Sequence, residues 1–255
     1  MKRWNLVITI LLFILGVLCY IFFEARPIAV LEDTLANKLL CGFISRMGLS
    51  LLFGWLLYQF GGYKYMVFNR RFPKALLWAL PCFVVAFVNF PYVAIIQGTA
   101  SIVRTDLIGL YILYVFSIAL LEELIFRGTL LIVVSDYFKR KQHGVFFVTL
   151  ICSLVFSLFH LTNLFEGASI GSTLLQCLYT FLIGAMLMVT ILKTRNIWLC
   201  ILIHTIFDFG GLLIIHIGKG NPWDTAFWIM TIVGGVLCAG HIIYTLIKLD
   251  KDYVL

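Results

Sequence analysis

Three short polar sets interrupt otherwise apolar stretches of the chain: Glu122-Glu123-x-x-x-Arg127, Phe156-x-x-x-His160 and His204-x-x-x-Asp208. An ionisable side chain at the middle of a membrane helix costs on the order of 2.5–3.5 kcal/mol on insertion scales, so each needs a partner or a task. On a helix, Glu123 and Arg127 are i,i+4 neighbours with the acid N-terminal, which lets them pair and relieve each other's burial. Glu122 projects about 100° around the helix from Glu123, which leaves it as the carboxylate available for chemistry, in the role of a general base. His204 and Asp208 also stand one turn apart, so the carboxylate orients the imidazole or both face one cavity. Phe156 and His160 share a face, with the ring placed to pack beneath the imidazole.

The elements that must carry these residues follow from composition. Of 255 residues, 62% are hydrophobic and only 12% charged, far from the balance of a soluble domain. A bilayer core needs about 20 apolar residues per helix. Such runs fall near 5–23, 39–60, 75–97, 107–135, 144–165, 171–192, 196–216 and 225–247. The expectation is an all-α, polytopic membrane protein: one transmembrane domain over 1–255, a bundle of about eight helices. The run at 5–23 follows Lys2 and Arg3 but lacks a small-x-small site before Glu24, so it reads as a retained first span rather than a cleaved signal.

Eight spans put both termini on one side. Thirteen Lys and Arg residues then lie on that side and four (Arg26, Lys38, Arg104 and Lys219) on the other, with Arg46 and Arg127 inside spans. The positive-inside rule places both termini in the cytoplasm. The same scatter of basic residues among connectors argues against nucleic acid as the partner of a chain of net charge +7. The seven cysteines all fall in apolar runs without a CxxC pair and read as packing or lipid-facing residues. At about 1.5 Å per residue, Glu122, His160 and His204 lie roughly 20, 24 and 13 Å from the cytoplasmic ends of their spans. Their convergence therefore requires tilt or uneven helix starts to absorb about 10 Å.

Simpler roles fit the other buried polar groups. His216 and His241, near span ends, read as packing residues, and Arg46 as a snorkelling or acid-paired side chain. A proton or ion pathway uses the same residue types as the main cluster.

The motif order EExxxR, FxxxH and HxxxD, on three separate spans, resembles the CPBP family of intramembrane peptidases (CAAX prenyl protease and bacteriocin-processing, also called Abi). The resemblance covers about 107–216. It implies an eight-helix architecture with a catalytic set of Glu122, Glu123, Arg127, His160, His204 and Asp208. Glu122 and His160 would activate water against a peptide carbonyl, Glu123 and Arg127 would hold the site, and His204 with Asp208 would stabilise the oxyanion. An ionised Asp208 accepts hydrogen bonds but donates none, so it either carries a proton or orients His204. A metalloprotease version would place a divalent metal such as zinc on Glu122, His160 and His204, although the chain has no HExxH.

By the same resemblance, the substrate is a membrane-associated, prenylated or bacteriocin-like peptide, and the setting a bacterial plasma membrane. Two other function classes stay open. One is a proton- or ion-coupled transporter, weakened by the lack of two matching halves with broken helices. The other is a non-catalytic immunity or sensor-regulating membrane protein.

Overall fold

Helices that are apolar on nearly every face find their solvent in lipid, where each backbone must satisfy its own hydrogen bonds. The computed structural model describes residues 29–67, 72–139, 141–165 and 167–252, together with Val7, Leu11, Ile14, Leu15 and Leu18. In chain order the helices are α1 (Thr34–Gln59), α2 (Phe72–Trp78), α3 (Leu80–Val88) and α4 (Tyr92–Ile96), followed by a short strand, β1 (Ala100–Ile102). Then come α5 (Ile108–Glu123), a π-helical turn (Leu124–Leu130) and α6 (Leu131–Phe138). After α7 (Gly144–Phe159) a 3-10 segment (His160–Leu164) leads to α8 (Ile170–Thr194), α9 (Ile197–Ile217), β2 (Gly218–Gly220) and α10 (Thr225–Asp252).

Six of these stretches are long and apolar enough to cross a membrane: Thr34–Gln59, Thr105–Phe138, Gly144–Leu164, Ile170–Thr194, Ile197–Ile217 and Thr225–Leu249. The expected count of eight is therefore not reached among the described residues. Most of the span expected at 5–23 lies outside them. The span expected at 75–97 is broken into α2, α3 and α4. Pro81 opens α3 and Pro91 caps α4, and proline removes a backbone donor and clashes with the preceding turn. The all-α expectation also misses a small ribbon: β1 pairs antiparallel with β2, Ala100 opposite Gly220 and Ile102 opposite Gly218. Gly220 makes it possible, because its φ of 100° is in the region where side chains strain and a Cβ would meet the Thr99 carbonyl.

Local signals set the helix ends. The side chains of Asp33, Ser169 and Asn196 accept from the backbone N–H of Ala36, Ser172 and Leu199, capping α1, α8 and α9. Beyond the first cap, Arg104 reaches Asp33 and Asp106 at 2.7 Å each, tying the start of α1 to the start of α5. The Arg104 guanidinium holds the Asp33 carboxyl below the usual carboxylate range.

Inside the bundle, α5 packs between α1 and α9, and α7 lies along α8. Arg46 corrects one expectation: it does not snorkel to solvent but is buried, with its guanidinium 4.5 Å over the Tyr114 ring. His216 packs edge-on to Tyr114 and His241 against Trp78, as expected of packing histidines. The six described cysteines (41, 82, 152, 177, 200 and 238) are free thiols.

Candidate active site

The span carrying Glu122 and Glu123 changes its winding directly after them. From Leu124 to Leu130 the helix is π-type, a wider turn that is frequent at functional sites. Arg127 sits within it and turns back to Glu123, Nη1 to Oε1 at 2.8 Å. Both side chains are sealed from solvent, at 1% and 0% exposure. The expected pair is therefore present, with two further supports for the guanidinium: it donates to the Gly184 carbonyl at 3.3 Å and lies 4.2 Å over the Phe156 ring.

Phe156 is the hub of the site. Its ring stands edge-on to Phe126 at 5.0 Å, to His160 at 5.1 Å and to His204 at 5.9 Å, so α7, α9 and the π turn meet around one aromatic face. Gly184 of α8 permits this closeness. A Cβ there would lie 3.0 Å from the Phe156 ring and 3.5 Å from Ser153, the small-residue packing that lets membrane helices approach. Sequence reasoning found Phe156 through its spacing to His160. It missed Gly184, because one glycine in an apolar helix carries no signal of what will lie against it.

His204 joins the two carboxylates of α5. Its Nδ1 is 2.7 Å from Glu123 Oε1, so the acid expected only to brace Arg127 also orients this imidazole. On the other edge, Nε2 faces Asp208 Oδ2 at 3.4 Å and Glu122 Oε2 at 3.7 Å. With Nδ1–H directed to Glu123, a bare Nε2 would point its lone pair at two carboxyl groups. The arrangement therefore calls for a proton on Nε2 or on one of those carboxyls. The depth mismatch expected for Glu122 and His204 is absorbed in the packing of α5 on α9.

His160 closes α7 where the helix tightens into the 3-10 segment. Its Nδ1 lies 3.0 Å from the Phe156 carbonyl, which can only accept, so Nδ1 carries the proton and Nε2 presents a lone pair. Asn163, one turn on, donates to Gln176 of α8 at 2.7 Å and ties the segment in place. Exposure separates the acids: Glu123 is at 0%, while Glu122 and Asp208 keep 13% and 17%.

Among the described residues no three His, Cys, Asp or Glu side chains group as metal ligands. Nδ1 of each imidazole is engaged, His204 with Glu123 and His160 with a carbonyl, which leaves Nε2 as the nitrogen each ring presents to the site.

Residues 104–210 match a family model described as type II CAAX prenyl endopeptidase Rce1-like. That segment contains all six candidate site residues, and over it the resemblance to the CPBP and CAAX proteases is borne out. No curated protein and no solved structure matches the chain. The long apolar helices, together with that match, describe an integral membrane protein.

Proposed function

Starting from the likeness of residues 104–210 to type II CAAX prenyl endopeptidases, we propose that this chain cleaves a membrane-associated peptide within the bilayer, using Glu122 and His160 to activate water. The observation that carries the reading is the meeting of Glu122 and Asp208 on the Nε2 edge of one imidazole, with the Glu123–Arg127 pair sealed behind it. A mere brace for the bundle would have no use for two partly accessible acids at that edge.

In this mechanism, the His160 Nε2 lone pair and the Glu122 carboxylate hold a water, and Glu122 takes its proton as oxygen attacks the scissile carbonyl. The protonated His204 Nε2 then donates to the developing oxyanion, in an orientation set by Glu123 at Nδ1. Collapse of the tetrahedral intermediate breaks the C–N bond, and the proton held by Glu122 passes to the leaving amine. The products are a carboxylic acid and an amine, whose proton exchange gives a carboxylate and an ammonium, with the enzyme returned to its starting protonation. No step passes through a metal ion, so the activity of purified protein is expected to survive chelation.

An apolar groove of about 370 Å³ supports a hydrophobic substrate. Trp55, Met66, Leu120, Leu124, Trp198 and Ile201 line it, beside the turns that carry Glu123 and His204. Its lining suits an apolar peptide segment or a prenyl chain, although neither Glu122 nor Asp208 lines it. The excess of Lys and Arg on one set of connectors supports cytoplasmic termini.

The test compares membrane peptidomes from cells carrying wild type, Glu122→Ala and His160→Ala, followed by assay of purified protein on prenylated and unprenylated peptides. Each substitution is expected to abolish cleavage while leaving insertion and helicity intact. Unchanged cleavage by Glu122→Ala would end this mechanism. A biological effect that persists without any cleavage would instead favour an immunity or scaffold role.

A further inference from the structure

Asp208 lies mid-way along α9, and the backbone carbonyls on either side of it both accept hydrogen bonds from other elements. The Phe207 carbonyl accepts Nδ2–H of Asn89 at 2.8 Å, from the break between α3 and α4. The Phe209 carbonyl accepts the hydroxyl of Tyr111 at 2.7 Å, from α5. A helix satisfies its interior carbonyls with the N–H four residues on, so neither bond is needed to complete α9. Residues 207 and 209 are about 200° apart around the helix. The two donors therefore grip from nearly opposite sides, and the turn between them cannot roll without losing one.

The surroundings are shaped for this contact. A Cβ at Gly210 would lie 2.9 Å from the Asn89 carbonyl oxygen and from Phe90 Cα, and one at Gly211 would lie 2.5 Å from the Asn89 amide nitrogen. Only glycine at both positions lets the α3–α4 break come this close. Tyr111 is fully buried, with its ring 5.5 Å from that of Phe209. It precedes Glu122 by eleven residues, three helical turns, and so shares its face of α5. Helix α5 thus holds α9 at two levels, through Glu123 at His204 and through Tyr111 at Phe209.

We propose that Asn89 and Tyr111 are positioning residues that clamp the turn of α9 bearing Asp208, keeping its carboxyl at the Nε2 edge of His204. The effect on turnover rests on the peptidase reading above; the clamp itself does not. Neither residue belongs to the EExxxR, FxxxH or HxxxD sets, and Asn89 lies outside the segment that the family model matches.

Two measurements on full-length protein in detergent or bicelles test this, using Tyr111→Phe and Asn89→Asp. The first is infrared. Subtracting the spectrum of each protein's Asp208→Asn counterpart isolates the Asp208 carboxyl band, which is expected to shift in both variants relative to wild type. A band that stays in place in both overturns the clamp, whatever the activity. The second is kinetic. On a peptide that wild type cleaves, kcat is expected to fall about tenfold or more, with KM within about twofold and the melting temperature unchanged. A kcat held within about twofold in both variants overturns the proposal. So does a loss that follows KM or melting temperature, because that would mark a merely structural role. If wild type cleaves no peptide, the peptidase reading fails, and the infrared result still decides the clamp.

Discussion

Removing Arg127 alone should harm the protein more than removing the whole ion pair. In Arg127→Met, Glu123 loses a 2.8 Å partner, while the guanidinium's bond to Gly184 and its place over Phe156 disappear with it. The carboxylate left behind has 0% exposure, and its Oε2 has no hydrogen-bond partner among the described residues even with Arg127 present. Breaking a buried pair from one side costs about 3–5 kcal/mol. At about 1.4 kcal/mol per decade, that is roughly a hundredfold to several-thousandfold in the unfolding equilibrium. Adding Glu123→Gln removes the stranded charge yet keeps a carbonyl oxygen for His204 Nδ1. The double variant should therefore recover about 1–2 kcal/mol relative to Arg127→Met, a coupling within the range for contacting residues. Reversible unfolding by SDS in mixed micelles, followed by helical circular dichroism, measures all four corners of the cycle. The reasoning is refuted if Arg127→Met stays within about 0.5 kcal/mol of wild type, or if the double variant loses the sum of the two single losses.

Other expectations follow from the same contacts. Gly184→Val forces a side chain to within 3.0 Å of the Phe156 ring; it should cost about 1–3 kcal/mol and depress cleavage, whereas Gly184→Ala should do less of both, read by thermal melting and peptide assay. Gly210→Ala meets the backbone of Asn89 and Phe90 rather than a flexible side-chain tip, so about 1–3 kcal/mol is again expected in melting. At the start of α1, the Asp33 carboxyl is held below its ordinary range by Arg104. Its contribution is thus complete above about pH 4 and is lost only as pH falls through the lowered value. Hydrogen exchange at the Ala36 amide, which Asp33 caps, should accordingly rise only in strong acid, and Arg104→Ala should move that rise to higher pH.

Much of this protein could be read from its residues in order. Continuous apolar runs dictate membrane helices, because lipid leaves a backbone no other partner than itself. Five of the expected spans lie within a few residues of observed ones, and the fourth extends over Thr105–Phe138. The Glu123–Arg127 pair and the Phe156–His160 contact were legible because one helical turn brings i and i+4 together without help from the rest of the chain. The break of the 75–97 run at Pro81 and Pro91 was visible in composition but outweighed by hydropathy.

What lies across helices was not legible. The His204–Glu123 bond joins residues 81 positions apart, and the grips of Asn89 and Tyr111 on α9 span more than ninety positions. No local spacing encodes such contacts. They depend on how the π turn, the glycines at 184, 210 and 211, and the β1–β2 ribbon set the rotation and depth of each helix. Residue type and one-turn spacing determined which groups could do chemistry. Packing alone decided that Glu123 orients His204 and that Glu122 and Asp208 keep a partial exposure that Glu123 lacks.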